Sequence, residues 1–376
     1  INAMDLASRI VANNAPKNIE TITIVNFDSG IESLRTTIPI KDIQKTVPIR
    51  PLNVNDFSFN SFRELSPDAL SFDNESLYPD FTWWIQPNMT GTLQHQEKFY
   101  FWQLEALINA NLAISNGTYL KGSYGVKIKN NFEDYTYHVP DGKLHHVRQD
   151  RRLYLTEGEN GLRYLFFDYL TNISPNIKAR LAAGYIEWMY GGVGGEILYT
   201  PDSQHWSLGL DIYRVKQRDF NQRFGFQEYE TTTGFLTFYY NIPFADLRLI
   251  ASYGKFLGQD VGYDLEISRR FDTGARVGAK FAQTDCDAFC TGEGSFSKWV
   301  YLELPLDLFW VNSSRRGYTG YAWSPLTKDS GQKLSIGTIH QLSSGIGQDV
   351  DTIRRTPWSI KKIFSGFGTK KVEKPI

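Results

Sequence analysis

Nowhere in its 376 residues does the chain hold a run of 18 or more apolar side chains, so none of its segments is suited to cross a membrane as a helix. Net charge is nearly absent too, with 40 basic against 41 acidic side chains, which argues against nucleic acid as a main partner. Cysteine is scarce. The only two, Cys286 and Cys290, lie together in "TDCDAFCTGEG" with no histidine beside them, a setting that favours a local disulfide in an oxidising compartment over a structural zinc site. The start "INAMDLASRIV" has no basic stretch leading into an apolar one, so no secretory signal is read there. No metal site and no cofactor motif is found.

Aromatics are in excess, at 15% with 21 Tyr, 25 Phe and 9 Trp, while the mean hydropathy is -0.36. Rings at alternate positions reconcile the two values. In "VGYDLEISRRF", Val261, Tyr263, Leu265 and Ile267 share one face, and Gly262, Asp264, Glu266, Ser268 and Arg270 the other; a period of two is the strand signature. The same alternation runs through Ala275 to Phe281, "WSLGLDIYR" and "FWQLEALINANL".

The first 46 residues read as a small α/β module, with a short amphipathic helix in "MDLASRIVANNA" and two strands, "ETITIVNF" and "SLRTTIPI". Residues 47–79 have the Pro-, Asn-, Asp- and Ser-rich make-up of a linker. From residue 80 to 312 about twelve alternating segments follow, long enough to cross a bilayer as tilted strands of roughly 9 to 11 residues. Tight connections near 115, 174, 200, 241 and 271 largely alternate with longer ones, including 131–160, 217–227 and 283–295. This predicts an antiparallel transmembrane β-barrel, closed so that no edge is left open, with short turns toward the periplasm and long loops toward the exterior. Trp83, Trp84, Trp188, Trp206, Tyr240 and Trp299 are expected at the interfaces with lipid. A soluble all-β protein would have to find another core for every outward ring. Residues 313–344 read either as two more strands, making fourteen, or as a periplasmic segment. Residues 345–376 form a basic periplasmic tail, helical or solvated.

Several long strings, among them "RRLYLTEGENGLRYLFFDYLTNISPNIKARLAAGYIEWMYGGVGGEILY", "DVGYDLEISRRFDTGARVGAKFA", "GEGSFSKWVYLELPLDLF" and "SPLTKDSGQKL", together resemble the YjbH/GfcD family of outer-membrane exopolysaccharide and capsule secretion proteins. The resemblance runs through most of residues 80–340. Family members are typically longer, so the chain resembles a C-terminal portion, which would account for the missing signal. The resemblance implies polysaccharide export across the outer membrane with periplasmic and lipoprotein partners, and it supplies no catalytic residue.

The residues themselves add an inward, polymer-facing set: Glu105, Lys121, Lys127, Arg180, Glu196, Asp211, Arg248, Asp264, Glu266, Arg270, Arg276, Lys280 and Glu303. Such a wall either trades hydrogen bonds along a sugar chain or pairs across the interior as a plug. In the longest loop, "YHVPDGKLHHVRQDRR" gathers His145, His146, Arg148, Arg151 and Arg152 at the mouth. No serine motif accompanies these histidines, so a hydrolase is disfavoured. Asp264 and Glu266 are close enough for a glycosidase pair, yet adjacent acids arise by chance on such a wall. A general diffusion porin is the alternative to an export conduit, and a barrel enzyme trails both. In "YGGVGGEILY", Gly191, Gly192, Gly194 and Gly195 stand between two strands with no helix to follow, which excludes a phosphate loop. They are expected to form a compact hairpin on the extracellular side, with Glu196 pointing inward just below the mouth.

Overall fold

The computed structural model describes residues 10–16, 18–28, 31–40, 58–59, 77–93, 97–136, 143–174, 176–201, 205–242, 247–271, 275–286, 295–305, 318–323 and 329–343. Residues 10–14 are helical, and β1 (Thr21–Asp28) pairs antiparallel with β2 (Ile31–Pro39). A short β3 (Ser58–Phe59), from the stretch expected to be linker, adds to β2.

The remaining strands form one 13-stranded sheet in which every strand pairs only with its neighbours in sequence. In order they are β4 (Asp80–Leu93), β5 (Tyr100–Ser115), β6 (Thr118–Asn130), β7 (Gly161–Ser174), β8 (Ile177–Tyr185), β9 (Tyr190–Tyr199) and β10 (Trp206–Arg218). β11 (Phe226–Ile242), β12 (Leu247–Lys255), β13 (Val261–Arg270), β14 (Arg276–Thr284), β15 (Phe296–Pro305) and β16 (Tyr318–Trp323) complete it. Twelve strands thus fall between Asp80 and Pro305, as the alternation predicts, and β16 is a thirteenth. The expected closure is not present among the described residues, where β4 and β16 are the two edges. A 6-residue β16 cannot match a 14-residue β4 along its length.

Burial is inverted relative to a soluble protein. The apolar face of the sheet is open: Tyr263 is 66% exposed, and Leu181, Ile197, Leu210, Ile212, Leu236 and Val300 are exposed with it. The charged face is covered, with Glu105, Asp168, Arg180, Glu196 and Asp264 all buried. Outward rings gather at the two ends of the strands. Tyr199, Trp206, Phe238 and Tyr240 form a chain of ring contacts at the end with short turns. Tyr185 with Phe224 and Phe226, Tyr253 with Tyr263, and Phe281 with Phe296 do so at the other. An aliphatic band between two aromatic girdles is the outer surface of a membrane barrel.

Three expected girdle residues turn inward instead, the first being Trp84, which shares the face of Asn88 and Asn109 and donates to Gln86 at 3.2 Å. Trp188 lies in the β8–β9 turn against Tyr154, and Trp299 packs on the cluster of Phe235, Phe256 and Ala282 under Lys280. Trp84 and Trp299 sit on the face that the strand period assigns to the interior, and Trp188 reaches the interior from its turn.

Two pieces of the chain fill it. The long loop between β6 and β7 carries the helix Arg151–Thr156 and folds into the mouth, where Val147 and Tyr154 join Ile186, Met189, Tyr190, Tyr213 and Leu257 in a core. Residues 329–343, which we call the strap, then run along the inner face from the long-loop end toward the short-turn end. Of the two further strands read in 313–344, the first is present as β16, and the strap stands in place of the second. Thirteen strands leave the chain on the side opposite its entry, and the strap brings it back. A sheet of this size encloses more room than inward side chains alone occupy, since about eight strands already suffice for a side-chain-filled interior.

Candidate functional site

The strap is the organising feature of the inner face, and side chains rather than a strand ladder hold its backbone. At the mouth Asp329 Oδ1 accepts the backbone N–H groups of Val147, Arg148 and Gln149 at 2.9, 2.7 and 3.1 Å. Burial raises the Asp329 carboxyl above its usual range, opposed by those N–H donors. Next, Gly331 N–H donates to Asp260 at 2.8 Å, and Leu257 N–H donates to the Gln332 carbonyl at 2.9 Å. Lys333 donates to Asp264 at 2.9 Å with its ammonium 4.3 Å from the centre of the Phe235 ring. Further in, Ser335 N–H donates to Glu187 at 2.8 Å, Arg180 donates to the Gly337 carbonyl, and Ile339 N–H donates to Glu196 at 2.8 Å. The strap ends in the short helix Ile339–Ser343. There Ile339 is fully buried with Leu170, Leu198, Tyr239 and Ile250, and His340 stacks on Tyr239 at 3.8 Å.

The inward set expected from sequence does line this face, and the structure groups it into ion pairs. Arg180 clasps Asp168 through Nε at 2.6 Å and Nη2 at 3.1 Å, and Lys121 reaches the same carboxylate at 2.7 Å. Arg163 holds Glu105 at 2.5 Å, while Lys127 pairs with Glu159. Arg276 lies 2.7 Å from Glu266 and 3.5 Å from Glu303, and Tyr301 also donates to Glu266. Asp264 Oδ2 lies 3.2 Å from the Lys280 ammonium as an ion pair, while Oδ1 accepts from Lys333. Arg248 donates to Asn241, and Arg270 lies half-buried at the end of β13. Glu196 and Asp211 are direct cross-strand neighbours of like sign. Such pairs destabilise a ladder unless cations or donors are brought to them, and Arg180 beside Glu196 and the strap supply these. Between strap and wall a cavity of about 370 Å³ remains, lined by Glu196, Asp211, Tyr213, Asp264, Glu266 and Lys280.

At the mouth, the basic loop residues bind the protein itself. Arg148 forks onto Glu187 at 2.6 and 3.1 Å and donates to the Lys333 carbonyl at 2.8 Å. Arg152 donates to the Tyr135 carbonyl, His146 faces Asp150 at 3.3 Å, and His145 meets Gln217 while stacking on Tyr229 at 3.8 Å. Arg151 differs from these in that its buried Nε has no hydrogen-bond partner among the described residues. Cys286 is buried and disulfide-bonded; Cys290 and the basic tail lie outside the described residues.

The four glycines require a correction. They are not a turn but the first half of β9, and the turn is residues 186–189, which contain no glycine. Their role is close approach: a Cβ on Gly192 would fall on the Arg214 carbonyl, and one on Gly194 on the ring of Tyr213. Glu196 is correspondingly deeper than expected, six residues into the strand and about 20 Å from its start at roughly 3.3 Å per residue. Gly194→Val is therefore expected to abolish the folded form, seen as loss of the fast-migrating unboiled band on a gel. Val193→Ala, on the exposed face, should retain it.

Sequence reasoning missed Asp168, Arg163, Glu187, Asp329 and Lys333. Lys333 and Asp329 stood in the quoted "SPLTKDSGQKL", but nothing in the pattern marked that string as interior.

A family model described as exopolysaccharide biosynthesis protein YbjH matches residues 2–341. The uncharacterized lipoprotein YjbH of Escherichia coli strain K12 is 32% identical over 339 residues, covering 87% of this chain and 48% of that protein. The chain thus spans about half the length of the curated relative it matches. Among solved structures, OmpF of Salmonella typhi in complex with daunomycin aligns with a TM-score of 0.37 at 11% identity, over 67% of this chain and 92% of that one. A loop-deleted OmpT of Vibrio cholerae aligns with a TM-score of 0.33 at 12% identity, over 67% and 94%. With the family model matching residues 2–341 and a relative 32% identical over 87% of this chain, the chain belongs to the YjbH family of exopolysaccharide biosynthesis proteins.

Proposed function

We propose that the chain is an outer-membrane barrel that takes part in exporting an exopolysaccharide or capsule polymer, and that the strap and mouth loop hold its passage closed at rest. The observation that carries this reading is the pairing of a lipid-type outer face with a charged inner face packed by the chain's own residues 329–343. Family membership supports the polymer. The short-turn end, from which β4 departs after the N-terminal module, faces the periplasm, and the long loops face the exterior. Its partners are outer-membrane lipid, the polymer, periplasmic and lipoprotein components of an export system, and the rest of a longer parent chain.

The chain guides polymer and does not cut it. Asp264 and Glu266, the nearest approach to a glycosidase pair, are each held by cations, which suits a wall and not a general acid. A diffusion porin would keep its interior open to solutes, whereas this interior is occupied. Deleting the gene is expected to strip polysaccharide from the cell surface and leave small-solute uptake unchanged. Retained polymer together with impaired uptake would instead favour the porin.

A further inference from the structure

Behind the mouth loop lies a second cavity, of about 300 Å³, lined by Arg151 and Thr90, each of which also carries a buried polar atom, Nε and Oγ1, without a hydrogen-bond partner among the described residues. Its two carboxylates are already taken. Glu105 accepts from Arg163 at 2.5 and 3.0 Å and from Asn88 at 2.8 Å. Glu187 accepts from Arg148 at 2.6 and 3.1 Å and from the Ser335 N–H at 2.8 Å. Three guanidinium groups therefore meet two carboxylates, and the surplus charge is that of Arg151. Burial lowers the Arg151 pKa with no carboxylate to raise it again. Arg151 is half-buried, so water can satisfy its N–H donors, but only an anion also neutralises its charge. The rings of Trp188 and Tyr164 line the same cavity. A pocket of this size with aromatic walls and a few convergent polar groups is the form of a small-ligand site.

We propose that this cavity binds a carboxylate-bearing sugar unit, a uronate, of an acidic polysaccharide. Arg151 takes the carboxylate, Thr90 a hydroxyl, and Trp188 and Tyr164 the apolar edge of the sugar ring. The assignment rests on the export reading, since it is the exported polymer that would present the uronate.

The test uses the full chain in detergent, titrated with α-1,4-digalacturonate, the matched neutral digalactoside and acetate, and followed by calorimetry. Digalacturonate is expected to bind, and the neutral disaccharide and acetate to bind at least about tenfold more weakly. Arg151→Gln should weaken digalacturonate about tenfold or more, corresponding to about 1.4 kcal/mol. Thr90→Val, which keeps the side-chain shape, should weaken it by a smaller factor of roughly three, in line with loss of one neutral hydrogen bond. Equal affinity for the neutral sugar, acetate binding as tightly as digalacturonate, or full affinity in Arg151→Gln would overturn the site. If Arg151→Gln fails to fold, unchanged binding in Thr90→Val overturns it instead. Should digalacturonate not bind while gene deletion still strips surface polymer, the site falls and the export role stands. Should it bind while deletion leaves the polymer in place, the export role falls and a uronate site remains.

Discussion

Replacing residues 329–343 with a glycine–serine stretch of equal length is expected to convert a nearly silent chain into a steady, cation-selective conductor in a planar bilayer. The strap's anchors are spread over the whole inner face: Asp329 at the mouth loop, Lys333 on Asp264, Ser335 on Glu187, Gly337 under Arg180, and Ile339 on Glu196. Each hydrogen bond is worth only about 1 kcal/mol net, or about 1.5 to 3 to a charged group, but they act together along one segment. Ile339 adds full burial of an aliphatic side chain, about 1.5 to 3 kcal/mol. A glycine–serine replacement removes the Asp329, Lys333 and Ile339 side chains, and its greater backbone freedom raises the cost of ordering the backbone groups that bond to Glu187, Arg180 and Glu196. The wall then exposes Glu196, Asp211, Asp264 and Glu266 against Lys280, so cations should pass in preference to anions. The outer face is untouched, so the variant should still insert and keep its heat-modifiable migration. Conductance no greater than the parent chain's, in a variant that inserts normally, would mean that the strap is not the barrier.

The strands were legible because their side chains obey a strict period of two, which survives wherever one face meets lipid and the other a filled interior. Val261 to Arg270 shows this best: all four apolar positions read as outward are on the outer face, and Asp264 and Ser268 are buried. The strap was not legible for a related reason. "KLSIGTIHQL" alternates like a strand because the strap is itself extended, and nothing local records that its backbone bonds to Glu187, Glu196 and Arg180 in place of a neighbouring strand. Only the structure gives the reasons for it: the thirteenth strand leaves the chain on the side opposite its entry, where the sequence predicts twelve or fourteen, and the strap adds a backbone donor to the adjacent acids Glu196 and Asp211. Glycines mislead because they carry no hydrophobic phase. Four in six residues suggest a turn, while the real constraint, the Tyr213 ring lying over Gly194, comes from the next strand. Asp168 escaped notice as a single acid within "LFFDYL", where only the three-dimensional approach of Arg180 and Lys121 gives it meaning.

That carboxylate should also be the costliest to remove. Asp168 is 0% exposed, and it pairs with both the buried Arg180 and Lys121. Asp168→Asn keeps the size but deletes the charge, leaving two cations facing one neutral amide. Breaking a buried pair from one side typically costs about 3 to 5 kcal/mol, because the partner stays desolvated without compensation. The variant is expected to lose its folded band at a markedly lower urea concentration than the parent chain. The contrast is Arg214→Gln: its partner Glu230 and Arg214 itself are both largely exposed, and surface pairs contribute little, so that midpoint should barely move. Arg180 also donates to the strap at Gly337, so releasing it from Asp168 should loosen the barrier and raise conductance in whatever fraction still folds. Adding Lys121→Met to Asp168→Asn removes one of the stranded cations and should recover part of the lost stability. If the double variant is no more stable than the single one, the cost lies in lost hydrogen bonding to Asp168 and not in uncompensated charge. If Asp168→Asn unfolds at the parent midpoint, the three-residue cluster does not hold the inner wall together.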